Sequence, residues 1–552
     1  MARKKKPTKA KKNSAPQPSP ISPEILWAYL VMGLVLLLVC FIRWRLLATP
    51  LERDEGEYAY MGQLLLQGIL PYTEAYSMKL PGIYFVYAIL LAIFGEESSS
   101  IHFSLLLVNL GTSILIFLLG KRLLSSTAGM VAAVSFLIVT LSPSIQGLWA
   151  NSEHFLVAFA IAGVLLMLIA VEKDHIGILF LSGLFLGSAF LIKQPGVFFA
   201  LFGIVYLSWV LRGKLPVSLK EFCLRVGVFI LGILMPIVSV SILYSITGNF
   251  GAFWFWTFEY AFQYASLVSV SQGITMLQMR LVEIGSPNFP IALGALLGLT
   301  ALMFNRDLRA KSVFIYGFVI ASFLSICPGF YFRPHYFVLL APAVCLLTGT
   351  GIHWSAQRIT PSNRRLVALS CVAAVLVVYP LFTQREFFFQ LSPLEASRAV
   401  YGMNPFPEAV EIASYIEENT DKEDKIAVIG SEPQIYFYSK RRAATGFLYT
   451  YALMEPHDFA LKMQRDMINE ITSNKPRYIV LVNIPTSWLM RPDSERLLIE
   501  WGEHYLHQAY RLAGVVDVIS PELTIYKWDE EATSYSPTSG LNLLIFERAE
   551  AG

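Results

Sequence analysis

The sequence predicts an α-helical polytopic membrane protein of about eleven transmembrane helices, followed by a C-terminal soluble α/β domain. Three observations carry this. Of 552 residues, 55% are hydrophobic and only 15% charged, against about 25% charged in an ordinary globular chain. Long runs without Asp, Glu, Lys or Arg recur between residues 25 and 385. Beyond residue 385 the pattern changes to short β-rich runs alternating with helical ones. This composition excludes a disordered chain and a water-soluble enzyme of ordinary surface. The five cysteines, at 40, 223, 327, 345 and 371, offer no disulfide framework and read as buried thiols.

Residues 1–24 form a basic tail containing Pro and Ser, with seven Lys and Arg among residues 3–12. It reads as a disordered cytoplasmic tail that fixes orientation and touches anionic lipid. No small-residue cleavage site follows the first apolar run, so a signal peptide is not expected. Nor is a nucleic-acid partner.

The first run, 25–42, has no charge in 18 residues and is just long enough to cross a bilayer core. Comparable runs follow at 101–120, 127–148, 155–171, 176–192, 195–211, 226–246, 289–304, 312–329, 336–357 and 366–383. Residues 80–94 are also apolar, but the run is short and contains Pro81-Gly82, so it reads as interfacial. The positive-inside rule agrees. With 80–94 at the surface, twenty Lys and Arg fall inside and seven outside. Counting it as a span would invert every later loop. The expectation is a membrane domain over 25–385 in the cell (plasma or inner) membrane. Its first outer loop is 43–100, its N-terminus is cytoplasmic, and an extracytoplasmic domain occupies 386–552.

In that domain, strands are expected at 425–429, 478–482, 523–528 and 541–546, and helices at 407–418 and 459–472. It has no glycine-rich phosphate loop and no His cluster at metal-ligand spacing. Residues 431–438 follow a strand and either face an active site or make a plain strand-to-helix junction.

Polar residues are costly in lipid and mark function, and here they gather on one side. The outer loop holds Glu52, Arg53, Asp54, Glu55, Glu57, Glu74 and Lys79. From Asp54 to Gln67 the spacing is helical, with Tyr58, Met61 and Leu65 on one stripe, so a helix lying on the membrane would hold Asp54 and Glu55 at its N-terminal end. Carboxylates there also suit the helix dipole, which leaves a structural role for Asp54 as open as a catalytic one. Glu153 and His154 follow the third span, Lys193 sits in the turn between the fifth and sixth, and Arg333 and His335 precede the tenth. An aromatic loop, 247–288, lies on the same side and reads as an interfacial belt. Snorkelling is as good a reading of Lys193 and Arg333 as phosphate binding.

At these residues the sequence resembles the C-type (GT-C) glycosyltransferases, in the group of protein O-mannosyltransferases and the lipid A aminoarabinose transferase. The resemblance covers roughly residues 25–360. Its features are Asp54-Glu55 with Gly56-Glu57-Tyr58-Ala59, the Lys79-Leu80-Pro81-Gly82 turn, Glu153, the run Ala189 to Lys193, and Arg333-Pro334-His335-Tyr336. Two departures, a single Pro after Lys79 and Gln194-Pro195 after Lys193, bear on sugar identity rather than reaction type. The resemblance implies a polyprenyl-phosphate sugar donor, a hydroxyl-bearing acceptor (lipid A, polysaccharide, lipid or protein) at the outer face, and inversion at the anomeric carbon.

It implies Asp54 as the base that takes the hydroxyl proton, with Glu55 in reserve. Lys79, Lys193 and Arg333 would neutralise the leaving phosphate, with His335 as a hydrogen-bond donor, and Glu153 would orient acceptor or donor. No cofactor is required. A divalent metal is left unassigned, although Asp54, Glu55 and Glu153 are of a type that ligates one. The alternatives are a ligase or polymerase of surface polysaccharide using a lipid-linked sugar, a secondary transporter, and a membrane scaffold.

Overall fold

The structure, a computed structural model, describes residues 23–213 and 217–549. The basic tail therefore lies outside the described residues, apart from its last two positions.

Each of the eleven apolar runs falls on a helix. Four of these helices, Ser98–Leu123, Ser152–Lys173, Leu219–Ile246 and the stretch Asn363–Thr383, are long and apolar enough to cross a membrane unaided, as is the helical stretch Gln194–Gly213. A sixth crossing arises if Val270–Gly285 and Phe289–Phe304, bent by 110° at their junction, form one broken span. The other runs lie on Pro23–Arg45, Ser126–Val139, Ile176–Ile192, Arg309–Ser325 and Ala341–Ala356. Their outward faces are lipid-like: Leu34 and Leu37 on the first helix are 68% and 70% exposed. This is a multi-pass membrane protein.

Two of the expected runs are shorter as helices than as apolar stretches. The run 127–148 stops being helical at Val139; Pro143 disfavours a helical residue before it, and Ser142 is extended. The run 336–357 begins as a 3-10 turn over Pro334–Val338 and becomes α-helical only at Ala341.

The apolar stretch 80–94 is a helix, Gly82–Phe94, of 13 residues. That is about 20 Å long, short of a bilayer core of about 30 Å. It packs on the amphipathic helix Arg53–Leu66, which is buried along Tyr58, Met61 and Leu64. The two form a helical hairpin above the spans. The aromatic stretch after residue 247 is also helical. Phe250–Trp254 runs into a π-turn over Phe255–Tyr260, and Trp256 and Tyr260 turn inward rather than to lipid.

The C-terminal region carries a six-stranded sheet in the order β2-β1-β3-β6-β4-β5. The strands are β1 Lys425–Ile429, β2 Arg442–Ala443, β3 Tyr478–Asn483, β4 Tyr510–Ser520, β5 Leu523–Trp528 and β6 Asn542–Arg548. β1 pairs in parallel with β2 and β3, while β6 and then β4 and β5 add antiparallel. Helices Phe406–Glu418 and Ala460–Asn474 pack their apolar sides against it. The sequence pattern anticipates four of these strands and both helices.

The sheet domain is bolted to the hairpin. Arg53 donates to the Ser431 carbonyl and pairs with Glu432 at 2.5 Å. Leu51 N donates to Tyr438 Oη and Ala443 N to Tyr60 Oη, each at 2.8 Å. Tyr76 N donates to the Gly446 carbonyl at 2.7 Å. Gly56 is needed for this docking, since a Cβ there would sit 2.6 Å from the backbone nitrogen of Gln434. Residues 431–438 thus grip the back of the helix Arg53–Leu66.

Candidate active site

A capping box starts the helix that carries the acidic motif. Glu52 accepts from Glu55 N at 3.1 Å, and the Glu55 carboxylate accepts from Glu52 N at 3.2 Å. Burial, reinforced by the Asp54 and Glu55 charges, pushes the Glu52 carboxyl well above the usual range. With the first turn fixed in this way, Asp54 and Glu57, three residues apart, share one face, and Glu55 faces away.

Asp54 and Glu57 line a cleft between the membrane helices and the sheet domain. It holds about 1350 Å³ of empty space, counted out to its open mouth. Lys79, at the turn before Gly82–Phe94, reaches both: its Nζ is 2.9 Å from Asp54 Oδ1 and 2.5 Å from Glu57 Oε2. Tyr84 Oη donates to the other Glu57 oxygen at 2.6 Å. Tyr449, from the sheet domain, places its hydroxyl 3.3 Å from Asp54 Oδ1.

Burial by itself would raise the Asp54 carboxyl. The charges of Lys79 and Arg333, joined in the acid range by protonated His335, outweigh that and hold it well below the usual carboxylate range. Lys79 mirrors this: burial lowers it, and Asp54 and Glu57 more than restore it, above the usual lysine range.

Opposite stand Glu153, Lys193, Arg333 and His335, all on the wall of the same cleft. Lys193 forms an ion pair with the fully buried Glu153 and lies 4.6 Å from the ring centre of Tyr336. His335 Nδ1 is 2.9 Å from Gln146 Oε1, a contact that requires the proton on Nδ1. Its Nε2 stands 3.9 Å from Glu153. Burial pushes the imidazole down to about 4, against the pull of Glu153, so it is neutral at physiological pH. Arg333 differs from the other cations. Its Nη2 donates to Tyr264 Oη at 3.0 Å, and among the described residues no carboxylate lies within ion-pair distance of it.

Six of the seven residues singled out from sequence therefore meet in one cleft. The exception is Glu55. Its Oε1 is 3.0 Å from His102 Nε2 and also accepts from Ala150 N, on the far side of the helix. The reserve-base expectation is corrected accordingly, because the capping box turns Glu55 inward. Glu57 fills that place beside Asp54. Sequence reasoning passed over Glu57, although its spacing of three from Asp54 was a legible signal. It also could not see Tyr449, Tyr451 and Glu455, which come from a part of the chain nearly 400 residues away.

Residues 78–240 match the family described as dolichyl-phosphate-mannose-protein mannosyltransferase. The matched segment includes Lys79, Glu153 and Lys193. In structure the whole chain is similar to ArnT from Cupriavidus metallidurans bound to undecaprenyl phosphate, with a TM-score of 0.57 at 15% identity over 95% of this chain and 98% of that one. The chain has the GT-C fold. The same GT-C arrangement is seen in the archaeal oligosaccharyltransferase AglB from Archaeoglobus fulgidus, solved with an inhibitory peptide and a dolichol-phosphate. There the TM-score is 0.52 at 12% identity, over 95% of this chain and 76% of that one. Within the GT-C fold of this chain, residues 407–489 match a further model, that of the Ccs4 C-terminal domain. This segment supplies Tyr449, Tyr451 and Glu455 to the cleft. No curated protein matches the chain by sequence.

Proposed function

We propose that the chain is an inverting glycosyltransferase that moves a sugar from a polyprenyl-phosphate donor to a hydroxyl acceptor. The observation that carries this reading is the cleft itself. One carboxylate, Asp54, stands on an ammonium that it shares with Glu57, and Arg333 faces the same space with no carboxylate partner among the described residues. An arginine left in that state is a site for an anion. Two proteins of the same fold carry a polyprenyl phosphate.

In this reading the donor phosphate binds Arg333 and draws on Lys79. The acceptor oxygen attacks the anomeric carbon, the bond from that carbon to the phosphate oxygen breaks, and its electron pair leaves with the polyprenyl phosphate. The hydroxyl proton passes to Asp54. A base held far below neutrality is a weak one. A phosphate that shares Lys79 removes part of what holds Asp54 down, so donor binding raises its basicity. Glu153 and Lys193 neutralise each other and frame the pocket, and neutral His335 donates from Nδ1 to Gln146. Apolar surface between spans takes the lipid chain. No cofactor enters this scheme.

The proposed setting is a cell membrane with the tail cytoplasmic and the sheet domain outside, where the enzyme would glycosylate a component of the cell envelope. The test is release of polyprenyl phosphate from a panel of polyprenyl-phosphate sugars, with a membrane extract as acceptor pool. Release by the wild type and not by Asp54→Asn supports the reading. No release from any donor by folded wild type overturns it.

A further inference from the structure

Four carboxylates line the cleft: Asp54, Glu57, Glu153 and Glu455. The first three each touch a lysine. Glu455 does not. Among the described residues no Lys, Arg or His lies within ion-pair distance of it. Among the described residues its one side-chain hydrogen-bond partner is Tyr260, whose hydroxyl donates to Oε2 at 2.8 Å. The residue is only 9% exposed, and its backbone is fixed by the bond from Glu455 N to the Tyr451 carbonyl, 3.1 Å. Leaving a carboxyl buried with one neutral partner is costly, so a ligand that hydrogen-bonds to it recovers free energy. Burial pushes this carboxyl up to about 7, against the pull of Tyr260, Arg491 and Arg333.

The wall beside it is aromatic. Tyr76 and Trp256 stack at 5.2 Å and 11°, and Phe447 meets them edge-on. Flat aromatic surface next to a hydrogen-bonding carboxyl is complementary to a sugar ring, which presents C–H on its faces and hydroxyls at its rim. A peptide is served less well, because the extended segment at Phe447 already has its pairing edge taken by Tyr76. A second groove, lined in addition by Asp466 and Asn469, shares Tyr76, Trp256 and Phe447 with the cleft. It gives room for further sugar units.

We propose that Glu455, Tyr260 and the Tyr76–Trp256 stack form the acceptor subsite, and that the acceptor hydroxyl belongs to a saccharide. That the subsite serves an acceptor rests on the transferase reading above; saccharide binding is tested without it. Tryptophan fluorescence of the full chain in nanodiscs is titrated with glucan, mannan and arabinan oligosaccharides. Undecaprenyl-phosphate binding is measured on the same samples. The expected result is quenching by at least one series, weakened tenfold or more in Glu455→Gln and less in Tyr260→Phe, with undecaprenyl-phosphate affinity unchanged. In the turnover assay, Glu455→Gln then raises acceptor KM at least tenfold with kcat within twofold. The proposal is overturned if no series quenches the wild type, if Glu455→Gln binds saccharide as the wild type does, or if that variant loses undecaprenyl phosphate together with saccharide. Saccharide binding by a wild type that turns over no donor would sink the transferase reading and leave the subsite standing.

Discussion

Lys79 Nζ sits 2.9 Å from Asp54 Oδ1 while also holding Glu57, so one ammonium is divided between two carboxylates. The cleft is therefore one negative charge in excess at this corner and one positive charge in excess at Arg333. In the proposed reaction, a phosphate drawn to Arg333 would pull Lys79 toward itself and free Asp54 as it arrives.

Asp54→Asn keeps the shape of the corner and removes the proton acceptor. Polyprenyl phosphate release is expected to fall by about 10²–10⁴-fold, with undecaprenyl-phosphate affinity retained. Glu55→Gln provides the contrast. Gln keeps one acceptor oxygen where Glu55 uses two, so the variant loses either the capping bond from Glu52 N or the contacts with Ala150 N and His102; it is expected to cost about 1–3 kcal/mol of stability and to leave kcat near the wild type. Thermal unfolding and turnover measured on both variants separate the two roles.

Arg333→Gln removes the cation without breaking an ion pair within the described residues. It is expected to weaken undecaprenyl-phosphate binding by about 10–100-fold, the worth of one charge-assisted hydrogen bond, with little change in melting temperature. Arg333→Lys should restore only part of the affinity, because an ammonium lacks the planar fork. A lowered melting temperature with unchanged affinity would assign Arg333 to the frame instead.

Much of this site was legible in the sequence, because charge is rare in the membrane half and each polar cluster stands out at a span end. Asp54, Lys79, Glu153, Lys193, Arg333 and His335 were readable on that ground. Glu57 lay in the same motif, but only the capping box decides which of the two glutamates turns to the cleft. Strand β4 was not legible, since Gly514 follows a bulge and the buried Asp517 breaks the apolar alternation. Asp517 is satisfied by the segment 535–539, which no local pattern reveals. The residues that the sheet domain lends to the cleft were hidden for a related reason: a contact between residue 54 and residue 449 leaves no periodic trace.

The Asp54–Lys79 pair predicts a pH plateau. The Asp54 carboxyl is lowered in the folded state, so its contribution to stability is present above the ordinary carboxylate pKa of about 3.9 and is lost as pH falls toward the lower folded value. Lys79 is raised, so its contribution is complete below about 10.4 and is lost only as pH climbs through the higher folded value. The part of the melting-temperature difference between wild type and Asp54→Asn that comes from this pair is therefore expected to stay constant from pH 5 to 9, with any slope there coming from the raised Glu52 carboxyl that the Asp54 charge also shifts. A difference that vanishes within that window would show that the pair does not hold in solution.

Chelation is expected to leave turnover unchanged. Lysines occupy Asp54, Glu57 and Glu153, and among the described residues no group of three or more His, Cys, Asp or Glu side chains is arranged to hold an ion. Polyprenyl phosphate release after dialysis against EDTA, with and without added Mg²⁺, Mn²⁺ or Zn²⁺, checks this. Activity lost and then restored by one of these ions would mean that the carboxylates exchange lysine for metal when donor is present.

Gly56→Ala tests whether the sheet domain must stay locked on the hairpin for transfer. The added Cβ would lie 2.6 Å from the Gln434 nitrogen and 2.8 Å from its Cα, both backbone atoms that no rotamer change can move. The helix Arg53–Leu66 or the docked segment 431–438 has to shift, at about 1–3 kcal/mol for overpacking of this kind. Such a shift also displaces Tyr449 from Asp54 and Glu455 from the acceptor side. Turnover is expected to fall together with melting temperature, and proteolysis between the two domains should speed up. Gly227→Ala is the control. It lies inside the helix Leu219–Ile246 with nothing within 4 Å of its added Cβ, and alanine is favoured over glycine in a helix interior by up to about 1 kcal/mol. If Gly56→Ala lowers the melting temperature and leaves kcat unchanged, the sheet domain is a support and not a wall of the working site.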